Sequence, residues 1–142
     1  MQNSFTTLPL DMNGLTIHFT GIKGTGMTAL VEVCKGRGAS ITGSDVEDTF
    51  YTDQILSFLG IKALPFDEKN INAEIDVVFY SSAYDINSHC ELVKAKELNI
   101  PMMEYSEALG KVSESSYSCG IAGVHGKTTT TGMTGTILKE LD

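Results

Sequence analysis

The sequence has little positive charge. It contains 10 lysine and arginine residues against 18 aspartate and glutamate residues, which gives a net charge of −8. A broad nucleic-acid-binding surface needs clustered basic side chains, so this balance argues against a nucleic-acid partner. A few local groups are still sufficient to hold the phosphate of a small ligand.

Cysteine is scarce as well, and Cys34, Cys90 and Cys119 are widely spaced. Their odd number and the lack of a C-x-x-C pair argue against a disulfide framework and a zinc site. No apolar run approaches membrane-spanning length, and residues 1–10 lack the basic and apolar regions of a signal peptide. These absences predict a soluble cytoplasmic protein with free thiols and no membrane association.

What the sequence does contain is an alternation of strand and helix patterns. Short apolar runs predict strands at 15–20, 39–43, 61–64, 75–80 and 100–103. Apolar residues at helical spacing predict helices at 26–35, 52–59, 88–98 and 104–112. Such an order indicates a Rossmann-like α/β fold, a mostly parallel sheet with helices on both faces. The 142 residues are enough for a sizeable core.

The polar run Ser-Glu-Ser-Ser at 113–116 is the best candidate for a domain boundary. It separates residues 1–112, with a loose lead-in at 1–13, from residues 113–142. Two histidines lie in the first part. His18, inside the first strand, is interpreted as a packed or hydrogen-bonded residue, and His89 is expected to face solvent.

A glycine-rich loop follows the first predicted strand, with the sequence Gly21-Ile22-Lys23-Gly24-Thr25-Gly26-Met27-Thr28. Glycines at a strand-to-helix junction let the backbone approach a diphosphate closely. The dinucleotide pattern G-x-G-x-x-G is not met, because position 23 is lysine. A tight strand–helix turn without a ligand is therefore the alternative interpretation.

Polar corners follow two further strands. Ser44 and Asp45 end the second strand, and Ser81-Ser82-Ala83 follows the most apolar one. An acidic residue in the position of Asp45 commonly bonds a nucleotide ribose, although it also suits the cap of a turn. Because parallel strands end at one edge of a sheet, we expect these corners and the glycine-rich loop to form one crevice.

A second loop of phosphate-binding type, Gly123-Val124-His125-Gly126-Lys127-Thr128-Thr129, lies between an apolar run at 117–122 and a helical pattern. The order strand, tight loop, helix directs backbone N–H groups at a phosphate. Lys127 would add a cation and Thr128 a hydroxyl for Mg²⁺. The strict pattern G-x-x-x-x-G-K-[ST] is not met, since position 121 is isoleucine, so a glycine turn before a threonine-rich helix is the alternative.

Taken in order, these segments resemble the Mur ligase family, from about Thr16 to the end of the sequence. The resemblance rests on the runs at 18–28, 43–45, 81–83 and 123–131. It implies a UDP-sugar-binding Rossmann-like domain at 1–112. Residues 113–142 would then be the linker, first strand, P-loop and first helix of an ATP-binding domain.

The family members most similar to this sequence join L-alanine to UDP-N-acetylmuramate through an acyl phosphate in peptidoglycan synthesis, with ATP and Mg²⁺. The resemblance implies substrate-binding roles for Gly21, Lys23, Gly24, Thr25, Gly26, Met27, Thr28, Ser44, Asp45, Ser81, Ser82 and Ala83. It implies ATP-binding roles for Gly123, His125, Gly126, Lys127, Thr128 and Thr129, with Lys127 and Thr128 catalytic and Thr128 on the metal.

One departure from the family concerns Lys23, which stands where glycine is usual. Its side chain either reaches the diphosphate or points to solvent. The other departure concerns the length of the sequence. Neither a second acidic magnesium ligand nor residues to hold the amino-acid substrate are found in it. We therefore expect the amino-terminal portion of a longer enzyme, inactive alone and able to self-associate.

Two alternatives to the alanine-joining ligase stay open. One is a recycling ligase that joins a murein peptide to the same nucleotide sugar. The other is a non-catalytic, nucleotide-sensing Rossmann domain.

Overall fold

A four-stranded parallel sheet organises the chain in the computed structural model, which describes residues 8–141. Its strands are β1 Thr16–Thr20, β2 Ser40–Ser44, β3 Val77–Tyr80 and β4 Met102–Glu104. Their spatial order is β2-β1-β3-β4, with every neighbouring pair parallel. The predicted lead-in at 1–13 and the predicted domain ends lie partly outside the described residues.

Among residues 8–141, five α-helices accompany the sheet. They are α1 Thr25–Gly36, α2 Thr52–Phe58, α3 Cys90–Glu97, α4 Tyr105–Glu114 and α5 Lys127–Glu140, with a 3₁₀ turn at Glu68–Asn70 before β3. The α/β fold predicted from the sequence is confirmed. No helix within residues 8–141 is both long and apolar enough to cross a bilayer.

Both faces of the sheet are covered. Ile17 and Phe19 of β1 face a core that includes Leu30 of α1 and Ala108 of α4. The opposite face carries a smaller core, which consists of Ile71, Ile75, Val78, Leu92, Ala95 and Ile100. The two-sided burial explains why β3 is continuously apolar, as parallel strands between helical layers usually are.

The strand predicted at 61–64 does not form. Only Leu64 pairs, in an isolated parallel bridge to Ser44. Leu64 donates its N–H to Gly43 and accepts the N–H of Asp45, at 2.9 Å each. At the other end of the segment, Ile61 donates its N–H to the carbonyl of Leu56, at 2.8 Å, and not to β2.

The strand predicted at 117–122 is also absent, and α4 runs through Glu114 into the predicted linker. A strand needs a neighbour for its N–H and C=O groups, and no described strand lies beside this segment. The predicted helix does form as α5, but none of its residues is buried. The start of a P-loop domain is therefore not visible as a strand–loop–helix unit.

Candidate functional site

The carboxyl ends of β1, β2 and β3 bring three predicted segments together. The N–H groups of Gly21 and Ile22 donate to the carbonyl of Ser44, at 2.9 and 3.1 Å. Ser81 donates its N–H to the carbonyl of Thr20 at 3.1 Å. The glycine-rich loop thus lies between the Ser44-Asp45 and Ser81–Ala83 corners, as a parallel sheet predicts.

Glycine at two positions of this loop is required by internal contacts. Gly21 has a φ of +88°, and a Cβ there would lie 2.7 Å from the Tyr84 ring. A Cβ on Gly26 would lie 2.6 Å from the Tyr105 hydroxyl. Packing against these tyrosines therefore accounts for both glycines, whether or not a diphosphate also approaches them.

The N-terminus of α1 provides free donors. Residues 21–24 use their N–H groups on protein acceptors, and Thr28 donates to the carbonyl of Gly24. Within residues 8–141, the N–H groups of Thr25, Gly26 and Met27 have no protein acceptor. The first turn of α1 carries no acidic side chain, and Gly24 gives no side-chain cap. Such an end favours an anion through its N–H groups and the helix dipole.

Asp45 is almost buried and serves the protein itself. Its carboxylate accepts the N–H of Lys23 at 2.7 Å and the N–H of Val46 at 2.8 Å. The Tyr84 hydroxyl donates to it at 3.4 Å. Burial, and then the charge of Asp45, raise the pKa of Tyr84 to about 12. These contacts fit the capping alternative, and the ribose contact of Asp45 stays a prediction.

The Lys23 side chain follows neither predicted course. Its Nζ donates to the carbonyls of Val46 and Asp48, at 3.0 and 2.8 Å, and lies 3.4 Å from the carboxylate of Asp53. The side chain is only 10% exposed. Lys23 is therefore turned toward the loop after β2, away from solvent.

Ser44 is buried in a polar cluster centred on Glu91. The Ser44 and Thr20 hydroxyls donate to Glu91 Oε2, at 2.6 and 2.8 Å. His18 Nε2 lies 3.5 Å from the same oxygen, and Asn70 Nδ2 donates to Oε1 at 2.7 Å. Burial alone would raise the pKa of Glu91, but hydrogen bonds from His18, Ser44 and Asn70 lower it to about 2. The Ser44 hydroxyl is thus not exposed to a ligand.

Sequence reasoning missed Glu91. A signal was available: His18 and Thr20 lie on the same face of β1, and two buried polar side chains require a partner. His18 also contacts Thr42 at 2.9 Å, so its interpretation as a hydrogen-bonded residue is confirmed.

His89 does not face solvent as expected. Its ring lies 4.6 Å from Phe66 and 4.9 Å from Tyr84, measured between centroids. Its Nδ1 is buried and has no hydrogen-bond partner in the described part of the chain. Burial lowers the pKa of His89. The expectation was wrong because His89 precedes the first turn of α3, where its ring packs against Phe66.

The remaining predicted substrate-binding residues include both exposed and buried ones. Ser82 and Ala83 are exposed beside Ser81, whose Oγ accepts the N–H of Ala83 at 3.3 Å. Met27 and Thr28 are buried, and the Thr28 hydroxyl donates to the carbonyl of Ile22 at 2.9 Å.

The second loop lies on the surface. Gly126 has a φ of +76° and precedes α5, a left-handed conformation that glycine adopts without strain. Lys127 Nζ donates to the carbonyl of Gly123 at 2.8 Å, and His125, Thr128 and Thr129 are exposed. In the described residues, no group of acidic, histidine or cysteine side chains is arranged to hold a metal ion. The ATP and Mg²⁺ roles stay predictions.

Comparison with known proteins identifies the family of the chain. The family model described as "Mur ligase family, catalytic domain" matches residues 16–117, which is more than half of the chain.

The chain belongs to the Mur ligase family.

A curated Mur ligase relative, UDP-N-acetylmuramate–L-alanine ligase of Treponema pallidum, is 52% identical over 136 residues. The alignment covers 95% of this chain and 28% of that protein, so the chain spans little more than a quarter of its relative.

Two solved Mur ligase structures are similar in fold. The UDP-N-acetylmuramate-alanine ligase MurC of Thermotoga maritima has a TM-score of 0.78 at 30% identity, covering 89% of this chain and 30% of that one. The UDP-N-acetylmuramate:L-alanyl-gamma-D-glutamyl-meso-diaminopimelate ligase of Neisseria meningitides has a TM-score of 0.77 at 27% identity, covering 90% and 40%.

Proposed function

We propose that this chain is the UDP-sugar-binding part of an ATP-dependent ligase that joins L-alanine to UDP-N-acetylmuramate. One observation carries the proposal. Three N–H groups that have no acceptor within residues 8–141, those of Thr25, Gly26 and Met27, lie at the start of α1 between two polar strand ends. The relative from Treponema pallidum, named for this activity, supports the choice of substrates.

The diphosphate of the nucleotide sugar would accept these three N–H groups. The helix dipole favours a negative charge there, and no carboxylate in the first turn of α1 opposes it. The nucleoside would extend toward the Asp45 corner at the end of β2, and the sugar toward Ser81 and Ser82 at the end of β3. This domain would contribute to catalysis by positioning the muramyl carboxylate.

The second loop partly fits ATP. The N–H groups of Lys127, Thr128 and Thr129 have no protein acceptor in the described residues, and Thr128 is exposed. Bound ATP would supply the phosphoryl group that activates the muramyl carboxylate as an acyl phosphate. Lys127 would have to release the carbonyl of Gly123 to reach a phosphate. Thr128 would be one oxygen ligand of Mg²⁺.

The experiment adds a charge at the start of α1. Thr25 is exposed and is the first residue of the helix. Thr25→Asp should preserve the fold, because an acidic residue there suits the helix dipole. It should nevertheless repel a diphosphate. Thr25→Asn is the matched control, since it has the same shape without the charge.

We expect calorimetry to show UDP and UDP-N-acetylmuramate binding to the parent chain and to Thr25→Asn. Thr25→Asp should bind UDP at least about tenfold more weakly than Thr25→Asn. Equal affinities of the two variants would place the diphosphate elsewhere. Preference for NAD over UDP would favour the nucleotide-sensing alternative.

The peptide-joining alternative is less well supported. Among the solved structures the two activities differ little, at 27% identity to the Neisseria meningitides enzyme and 30% to the Thermotoga maritima one. The curated Treponema pallidum relative, at 52% identity, favours the alanine-joining ligase. Both proteins are named for the same nucleotide sugar, so the Thr25 experiment does not depend on this choice.

A further inference from the structure

The loop that joins β2 to α2 runs beside the start of α1. We call residues 46–51 the β2–α2 strap. All six residues are exposed, and Val46, Phe50 and Tyr51 expose 38%, 43% and 63% of their surface. A segment with so little buried surface is held mainly by its hydrogen bonds.

Lys23 supplies much of that attachment. Its Nζ donates to two strap carbonyls, Val46 and Asp48, and forms an ion pair with Asp53 in α2. Nζ also lies 5.8 Å from the centre of the Phe50 ring. An ammonium group has three N–H donors, and three oxygens surround this one. The Lys23 ammonium group is therefore bound to the strap and to Asp53 in this structure.

The strap is also joined to the α1 N-terminus. The Tyr51 hydroxyl donates to Thr25 Oγ1 at 2.8 Å. Thr52, which follows the strap, donates its hydroxyl to the carbonyl of Lys23 at 2.7 Å. The strap thus continues from the Asp45 corner and ends over the first residue of α1. A ligand with its diphosphate at α1 and its nucleoside at the end of β2 would lie beside it.

We propose that Lys23 is a positioning residue that holds the β2–α2 strap as a wall for the nucleoside part of the UDP-sugar. This rests on the proposed function, because it takes the diphosphate to lie at the start of α1. Lys23 acts through the strap and does not contact the diphosphate.

The test replaces Lys23 by methionine, which keeps an unbranched side chain and removes all three donors. Lys62→Met is the matched control. Lys62 is exposed, borders the same surface cleft as Lys23, and makes no hydrogen bond in the described residues. Both variants lose one positive charge from the same side of the molecule. Amide hydrogen exchange of residues 46–51 is measured without ligand, and UDP and uridine affinities are measured by titration.

We expect Lys23→Met to speed exchange of the strap amides by roughly tenfold, because two charge-assisted hydrogen bonds are lost. UDP and uridine should both bind about fivefold more weakly, since the wall contacts the nucleoside that they share. Lys62→Met should change neither measurement. The midpoint of thermal unfolding is also measured. It should remain above the titration temperature, so that both variants are folded during the titration.

Three results would overturn the inference. Weaker UDP binding with unchanged uridine binding would mean that Lys23 contacts the diphosphate. Faster amide exchange with unchanged UDP and uridine affinities would mean that Lys23 holds the strap but that the strap does not contact the nucleoside. Unchanged exchange would show that Lys23 does not hold the strap. If the parent chain fails to bind UDP, the proposed function fails first, and the exchange measurement still decides whether Lys23 holds the strap.

Discussion

At the scale of single residues, several groups of the candidate site already have partners within the protein. Asp45 has the identity and position of a ribose ligand, yet its carboxylate accepts two backbone N–H groups and a tyrosine hydroxyl. Gly21 and Gly26 have the identity of diphosphate-contacting residues, yet tyrosine rings occupy the space beside them. The three N–H groups at the start of α1 are different, because no acceptor in the described part of the chain competes with a ligand for them.

Asp45→Ala should lower the free energy of unfolding by about 1–3 kcal/mol, because the partly buried N–H of Lys23 loses its acceptor. Urea denaturation measures the change. Glu47→Ala, an exposed acidic residue two positions further on, is the control and should be neutral. If Asp45→Ala is as stable as Glu47→Ala, the carboxylate does not cap the loop. Weaker UDP binding by Asp45→Ala at unchanged stability would instead favour the ribose contact.

At the scale of elements, one buried carboxylate links much of the sheet edge. Glu91, at the start of α3, accepts hydrogen bonds from β1, β2 and the 3₁₀ turn through Thr20, Ser44 and Asn70. The carbonyl of Ser44 in turn accepts the N–H groups of Gly21 and Ile22. The glycine-rich loop is therefore supported by a buried polar cluster.

Glu91→Gln should destabilise the protein by about 2–4 kcal/mol at pH 7, because a buried, multiply hydrogen-bonded charge is removed. The folded-state pKa of Glu91 is lowered from 4.5 to about 2. Its contribution is thus fully present above pH 4.5 and is lost as the pH falls toward 2. The difference in stability between parent and variant should shrink over that interval.

Denaturation at a series of pH values checks this prediction. Glu97→Gln, on the exposed side of the same helix, is the control, and its ion pair with Lys94 should contribute little. A parent-to-Glu91→Gln difference that stays constant between pH 5 and pH 2 would contradict the assigned charge state.

At the scale of the whole molecule, the second loop and α5 stand apart from the sheet. Met133, Ile137, Leu138 and Leu141 are 57–78% exposed, and no residue of α5 is buried. Exposed apolar side chains in such a group suit contact with another protein surface. Self-association of this chain, as expected from the sequence, remains a prediction.

We expect these 142 residues to release no phosphate in an alanine-dependent manner, even with ATP, Mg²⁺, UDP-N-acetylmuramate and L-alanine present. Within residues 8–141, Thr128 has no acidic partner arranged to share a metal ion, and nothing encloses the second loop. A phosphate-release assay with and without L-alanine measures this. Alanine-dependent release above background would show that these residues suffice for turnover.

The sequence by itself determined the alternation of elements and the edge at which the candidate site lies. Apolar periodicity and glycines that end helices are signals within a few neighbouring residues. The bounds of α1, α2 and β1 could therefore be predicted closely. Parallel pairing then places the ends of β1, β2 and β3 together without further information.

Tertiary structure alone decided how the polar groups are used. Thr20 meets Glu91 across 71 residues of sequence, and Lys23 meets the strap carbonyls across more than 20. The segment at 117–122 has a strand pattern but no neighbour to pair with. The hydrogen-bond partners of buried or charged groups depend on how segments distant in sequence pack together. A local sequence pattern does not show which segments those are.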